Sequence, residues 1–271
     1  MNPALPVQIV RYRNGEVIER ADELAAEEPL EIRIEGHSVA VLMRTPGQDR
    51  ELAAGFLVTE NLVRRADEIF EITVCGEAPG GADESNVANV TLKNPASFNP
   101  SKFSRNLFSS SSCGICGKAS IDAIAQQFSP ITSELKISAE LLLELPTHLS
   151  AAQETFQRTG GLHACALFDE TGKLFGTRED VGRHNALDKL IGYALLKNCL
   201  PLARHILLLS GRVSFEMVQK SLAAGITIIA AISAPTSLAV EFARANNQTL
   251  IGFLRGDHMN VYSGTERIVH T

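Results

Sequence analysis

The sequence shows no apolar h-region in its first residues, no apolar run of membrane-spanning length, no net positive charge and no standard nucleotide fingerprint. Residues Met1 to Tyr12 contain no apolar h-region, so no signal peptide is expected. The longest apolar run, Ala223 to Ala234, is broken by Gly225, Thr227 and Ser233, and it falls short of the ~20 residues a bilayer span needs. The net charge of −6 supplies no global attraction for nucleic acid. Neither G-x-x-x-x-G-K-[ST] nor G-x-G-x-x-G occurs. The cysteines (Cys75, Cys113, Cys116, Cys165, Cys199) number five, an odd count in a chain of 271 residues, which argues against a secreted disulfide framework. The expectation is a cytoplasmic protein with neither nucleic acid nor membrane as partner.

What is present is an ordinary globular composition, 45% hydrophobic and 21% charged, with length enough for two modest domains. The first part reads as β-rich. Val7–Tyr12 and Val17-Ile18 flank Asn14-Gly15, a hairpin signal. Leu30–Glu35 alternates with period two and turns at Gly36-His37 into Ser38–Met43, a second hairpin. Asp49 to Val63 has helical spacing, with Leu52, Phe56 and Val63 on one face. Ile72–Cys75 and Asn86–Lys93 read as strands, with a polar loop, Gly76 to Ser85, between them. Regular structure lapses from Asn94 to Ser112, and a loop of that length suggests function.

The lapse ends in Ser109-Ser110-Ser111-Ser112-Cys113-Gly114-Ile115-Cys116-Gly117, followed by a predicted helix from Lys118 to Phe128. Thiolates at a helix N-terminus are favoured by free N–H groups and the macrodipole. Three chemistries compete for this pair. A structural zinc site needs four ligands, and there is no second C-x-x-C, so Cys75, His163 or Cys165 would have to be recruited from afar. A thioredoxin-type dithiol would follow the first strand of a βαβ unit, whereas here a serine run precedes it. A persulfide carrier needs an exposed thiolate on a loop that moves between donor and acceptor. Cys165 and Cys199 read as small packing residues.

The remainder alternates strand and helix. Ser138 to Leu145 reads as a helix stopped by Pro146, with Thr147 capping the next, which ends at Gly160-Gly161. Near-continuous apolar strands then alternate with helices (Asn185–Lys197, Phe215–Ala224, Ser237–Asn246), predicting a mainly parallel sheet covered on both faces. The expected division is 1–130, a β-rich domain ending in a mobile cysteine loop and its helix, and 131–271, an α/β domain.

In such sheets ligands sit beyond the carboxyl ends of strands. Polar segments cluster at four of these exits: Arg178–Asn185 with Gly182, Arg183 and His184; Ser210-Gly-Arg-Val-Ser214 with Arg212; Ser233-Ala-Pro-Thr-Ser237; and Arg255-Gly256-Asp257-His258. Helix N-termini and arginine forks suit phosphate oxygens. A phosphate-bearing ligand is expected, its class left open. His163, inside an apolar strand, reads as a core residue.

Several stretches resemble the formate dehydrogenase accessory sulfurtransferase family, FdhD: Ser111-Ser-Cys-Gly-Ile-Cys-Gly117, Thr159-Gly-Gly-Leu-His-Ala-Cys-Ala166, Glu179-Asp-Val-Gly-Arg-His-Asn-Ala-Leu-Asp-Lys189, Leu209-Ser-Gly-Arg-Val-Ser-Phe-Glu216 and Gly252-Phe-Leu-Arg-Gly256. The resemblance implies a homodimeric sulfurtransferase that takes sulfur from a cysteine desulfurase as a persulfide. It passes the sulfur to molybdenum held by two molybdopterin guanine dinucleotides, as formate dehydrogenase requires; the catalytic subunit of that enzyme is the implied second partner. The alternative is a non-catalytic chaperone for the same cofactor. The family's persulfide cysteine matches Cys113, and Cys116 matches its second thiol. The cofactor segment matches Phe253, Leu254, Arg255, Gly256, Asp257 and His258. With Arg183, His184, Ser210, Arg212 and Ser237 these make up the expected cofactor-binding residues, where a GDP-like guanine nucleotide would substitute; no metal ligands are assigned. The family is similar to the cytidine deaminase fold in its C-terminal half, implying a three-layer α/β/α domain. The zinc signature H-x-E…P-C-x-x-C of those deaminases is missing, since Ser112 precedes Cys113.

Overall fold

The structure is a computed structural model that describes residues 2–75, 86–100 and 128–270. The loop expected at 76–85 and all but the last residue, Phe128, of the helix expected from Lys118 to Phe128 lie outside the described residues, as does the cysteine loop.

Asn14 and Gly15, both at positive φ, close the first hairpin between β1 (Ala4–Arg13) and β2 (Glu16–Ala25). Both residues have to accept left-handed backbone in such a turn, which is why Asn-Gly signals it. A four-stranded sheet follows, in the order β4-β3-β6-β5, from β3 (Glu28–Ile34), β4 (His37–Arg44), β5 (Ile69–Cys75) and β6 (Val87–Leu92). Helix α1 (Asp49–Thr59) lies between β4 and β5 in the chain.

The second large sheet has six strands in the order β13-β12-β11-β10-β8-β9. After the two-residue strand β7 (Ile137–Ser138), they are β8 (His163–Asp169), β9 (Leu174–Asp180), β10 (His205–Leu209), β11 (Ile228–Ala231), β12 (Thr249–Arg255) and β13 (His258–Ser263). Only the β10–β11 and β11–β12 pairings are parallel; β8–β9, β8–β10 and β12–β13 are antiparallel. The sheet is mixed, a correction to the mainly parallel expectation. β8 is apolar throughout its centre because both of its faces are covered, and a doubly covered antiparallel strand has the sequence look of a parallel one.

Helices α4 (Arg183–Leu196), α5 (Phe215–Ala223) and α6 (Ser237–Ala245) follow β9, β10 and β11 in turn. One apolar core runs from Leu30, Ile32 and Ile34 of β3, through Leu52 and Leu57 of α1 and Leu187, Leu190 and Ile191 of α4, to Leu207 and Leu209 of β10. The opposite face of the six-stranded sheet is covered by α2 (Ala139–Ala152), whose Leu142, Leu145 and Leu149 pack on Ala166, Phe168, Ile206, Leu208, Ile251 and Leu254. Helix, sheet and helix thus form three layers.

Pro146 lies inside α2 rather than ending it; the break comes at Gln153, before α3 (Glu154–Thr159), and Thr147 caps nothing. An interior proline costs a helix about 3 kcal/mol. Burying three leucines returns roughly 1.5–3 kcal/mol each, so packing outweighs the break. Ser138 caps α2 by accepting from the Leu141 N–H at 3.2 Å, and Gly160 ends α3 with φ 67°.

Helices α1 and α4 cross in direct backbone contact. A Cβ on Gly55 would stand 1.8 Å from the Asp188 carbonyl oxygen, and one on Gly192 would stand 1.8 Å from that of Glu51. Only hydrogen fits at either position. Beside this crossing, the Lys220 ammonium of α5 donates to Asp188 Oδ2 at 2.7 Å and to Thr59 Oγ1 at 2.9 Å, tying α1, α4 and α5 together. The crossing fixes where α4 begins, and with it the candidate site.

Candidate functional site

β9, β10, β11 and β12 all run in one direction, although the sheet is mixed. β8 is antiparallel to both β9 and β10, so those two are parallel to each other with β8 between them. All four exits therefore open on one edge, and β8 begins there. Backbone hydrogen bonds stitch neighbouring exits together. Ser210 N–H donates to the Ala164 carbonyl at 3.0 Å. Val213 N–H donates to Ala234 O at 3.1 Å, and Thr236 N–H to Val213 O at 2.9 Å. Phe253 N–H donates to Ser233 O at 3.1 Å. Phe253 takes a left-handed φ of 54°, uncommon for a bulky side chain and costly where it occurs.

Cationic groups gather at the β8–β10 end of this edge. Arg183 and His184 are the first two residues of α4. His163 opens β8, and Gly211 passes close over it: a Cβ there would stand 3.1 Å from His163 Nδ1. Burial, and next the charges of Arg183, His184 and Arg212, hold His163 below the ordinary imidazole value. His163 thus belongs to this edge and not to the core; its place in an apolar strand hid it.

The nitrogens here are under-used. Arg183 Nε is buried without a hydrogen-bond partner. The Arg212 side chain is exposed and bonds to no described residue. His184 Nε2 is engaged, 3.1 Å from Glu216 Oε2 and 3.5 Å from Ser214 Oγ. A buried donor without a partner is costly, and several converging cations with one carboxylate among them suit an anion.

The remaining parts of the 179–189 motif are structural. Asp180 and Lys189 form a fully buried ion pair at 2.8 Å. Asp180 also accepts from the Thr45 and Gly182 N–H groups and from Asn185 Nδ2, while Lys189 donates to the Thr45 carbonyl. Glu179 accepts from the Thr155 and Phe156 N–H groups at the start of α3. Cys165 is buried below the edge, its thiol pushed far up by burial and then by Asp188 and Asp180, so it stays protonated. Cys199 is half-buried, with Sγ 3.4 Å from the Lys197 carbonyl.

The other expected residues are placed unevenly. Ser210 Oγ accepts from the Ala164 N–H at 2.9 Å, continuing the β8–β10 pairing past the strand end. Ser237 is exposed on the first turn of α6, and it is Thr236 that caps the helix. Leu254 is fully buried in the core under α2, its side chain turned away from solvent. Arg255, Gly256, Asp257 and His258 form an exposed turn, with the Arg255 guanidinium 5.8 Å from the Phe253 ring centroid. Cys113 and Cys116 lie outside the described residues. Among the described residues no group of three or more His, Cys, Asp or Glu is arranged for a metal ion. No described helix is long and apolar enough to cross a membrane.

Fold and edge together define an α/β protein whose strand exits carry unpaired cationic side chains. The FdhD/NarQ family model matches residues 25–269, and the chain belongs to that family. It is 51% identical to the sulfur carrier protein FdhD of Streptomyces avermitilis over 265 residues, covering 96% of this chain and 94% of that one. It is 40% identical to the protein of the same name from Sulfurisphaera tokodaii over 266 residues, 97% of this chain and 98% of that one. Among solved structures, one described as a formate dehydrogenase accessory protein from Desulfotalea psychrophila superposes with a TM-score of 0.77 at 24% identity, covering 99% of this chain and all of that one, a likeness of fold.

Proposed function

We propose that this chain is a sulfur carrier for formate dehydrogenase. Cys113 takes a sulfur atom from a cysteine desulfurase as a persulfide and hands it to a molybdenum cofactor whose guanine dinucleotide phosphates lie along the strand-exit edge. In the first step the Cys113 thiolate attacks the outer sulfur of the donor's persulfide. One S–S bond forms as another breaks, and the donor leaves as thiolate, so no net oxidation is required. Handing the sulfur on breaks the S–S bond and returns Cys113 to thiolate; the sulfur leaves at the sulfane level, and the two electrons that would bring it to the sulfide level would come from the acceptor.

The observation that carries the acceptor half is the set of unpaired nitrogens on Arg183 and Arg212, beside His163 and His184, at one sheet edge. Phosphate-rich ligands answer all of them at once. The carrier half is supported by the names of the relatives; of the described thiols, Cys165 is held protonated and is closed off by packing. Activation of formate dehydrogenase in cells lacking the native accessory protein tests the reading. The wild-type chain restores activity and Cys113→Ala does not; full activation by Cys113→Ala would instead mark a cofactor chaperone without sulfur chemistry.

A further inference from the structure

The hairpin of β1 and β2 stands apart as a two-stranded sheet that pairs with neither of the larger ones. An isolated hairpin is marginal in water, and contiguous exposed apolar side chains mark a contact surface. Half of the large apolar side chains exposed among the described residues, six of twelve, sit on this arm. The family model begins at residue 25, so the arm up to Leu24 lies outside it.

The rest of the chain holds the base of the arm on one face. Side chains alternate along each strand, and the register pairs Ala4 with Ala25 and Pro6 with Glu23, so these four share a face. Ala4 is fully buried, a Cβ on Gly161 would stand 3.2 Å from the Ala25 Cβ, and Arg158 Nε of α3 donates to Glu23 Oε2 at 2.7 Å. On the opposite face Leu5 pairs with Leu24, Val7 with Asp22, Ile9 with Arg20, Arg11 with Ile18 and Arg13 with Glu16. Leu5, Leu24 and Ile18 are 53%, 55% and 43% exposed, and Val7 and Ile9 are half-buried. An apolar stripe therefore runs from the base toward the turn on the face away from α3.

We propose that this face docks a second copy of the chain, arm against arm. The charges select that occupant. β1 carries Arg11 and Arg13 and no acid, whereas β2 carries Glu16, Glu19, Asp22 and Glu23 with a single base, Arg20. A two-fold axis along the arm lays β1 of one copy over β2 of its partner at the same height. Leu5 then meets the partner's Leu24, Arg13 meets the partner's Glu16, and no two like charges stand directly opposite. An axis across the arm would instead set basic strand on basic strand and acidic on acidic, which is repulsive. Each contact occurs twice about such an axis, so the patch closes on a dimer and not on an open chain. Pro6 has no N–H to offer a strand added along β1, which favours the face over the edge. Five apolar side chains at ~60–120 Å² each make roughly 600–1,200 Å² for the two copies, the lower end of specific interfaces, so the dimer is expected to dissociate on dilution.

Sedimentation equilibrium of the full chain, from about 1 to 100 μM, tests the proposal. The wild-type chain is expected to pass from monomer to dimer across that range. Ile18→Lys/Leu24→Lys is expected to raise the dimer dissociation constant at least about tenfold, with the thermal unfolding midpoint unchanged because both side chains are exposed. Val10→Lys/Val17→Lys changes two equally exposed residues on the other face and is expected to leave the constant unchanged. At the tip, Arg13→Glu is expected to weaken the dimer and Arg13→Glu/Glu16→Arg to restore it, a test that stands even if the double lysine variant fails to fold. A wild-type chain that stays monomeric throughout overturns the proposal and leaves the arm to some other partner. A dimer that Ile18→Lys/Leu24→Lys leaves intact, or that both lysine pairs weaken equally, overturns it too, as does a dimer indifferent to Arg13→Glu.

Discussion

Asp180 Oδ2 and Lys189 Nζ lie 2.8 Å apart with both side chains fully buried, one at the end of β9 and the other a turn and a half into α4. The pair does more than neutralise itself. Through the Thr45 N–H and carbonyl it pins the end of the β3–β4 hairpin to the start of α4, where Arg183 and His184 stand. Removing one partner leaves a charge that neither water nor protein solvates. Lys189→Met is therefore expected to lower stability by about 3–5 kcal/mol, read from denaturant unfolding. A loss under 1 kcal/mol would mean that the pair is wetter than its burial indicates.

The α1–α4 crossing offers a second test. Gly192→Ala drives a methyl group into the Glu51 carbonyl, and Gly55→Ala does the same at Asp188. Neither backbone segment can yield without moving a helix, so each change is expected to cost at least about 3 kcal/mol. Gly256→Ala, in an exposed turn with open space around the Cβ position, meets no such wall and is expected to cost less, its φ of 60° being the main penalty. Thermal unfolding of the three variants ranks them.

Arg212 is exposed and bonds to no described residue, so its part in the proposed binding is expected to be separable from the fold. Arg212→Ala is expected to weaken GDP binding by about 1.5–3 kcal/mol while leaving the unfolding midpoint within error. Unchanged GDP affinity would remove it from the edge's function.

Acid stability has a sign fixed by two histidines. Burial, foremost in both cases, lowers His163 and His205 in the folded chain; the charges of Arg183, His184 and Arg212 add to this at His163, while Asp169 and Glu170 oppose it at His205. A histidine whose folded value lies below its unfolded value binds more protons when unfolded. Its contribution is therefore complete above the unfolded value and is lost as pH falls through it toward the folded one. Stability is expected to decline as pH drops below about 6.5. His205 Nδ1 is buried without a partner, and its ring meets Phe175 edge-on. His205→Phe keeps a ring and removes the titrating nitrogen, so it is expected to flatten that decline in pH-dependent unfolding.

Much of the architecture was legible because local chemistry and packing agree. Asn14-Gly15 specifies its hairpin, and Leu187, Leu190, Ile191 and Leu195 line the buried face of α4 as their spacing indicates. Legibility failed where long-range packing overrides local preference. Pro146 reads as a stop, but Leu142, Leu145 and Leu149 hold the helix through it. The directions of β8 and β13 are set by chain connections that no residue pattern encodes. At the candidate site, the four exits were legible from glycine, arginine and serine after apolar runs. The division of labour within Glu179–Lys189 was not: Glu179, Asp180, Asn185 and Lys189 point into the structure and Arg183 and His184 lie at the edge, a distinction set by helix phase and by the hairpin packed beneath. His163 was hidden because the strand that carries it is apolar throughout its centre.

On the proposed reading, sulfur travels on Cys113. Incubating the full chain with a cysteine desulfurase and cysteine, then mapping peptides by mass spectrometry without reductant, tests it most directly. One added sulfur atom is expected on the Cys113 peptide, removed by thiol reductant and missing from Cys113→Ala, with the Cys165 peptide unmodified. An unmodified Cys113 peptide under conditions where the desulfurase itself carries persulfide, or sulfur found on Cys165 instead, would contradict it.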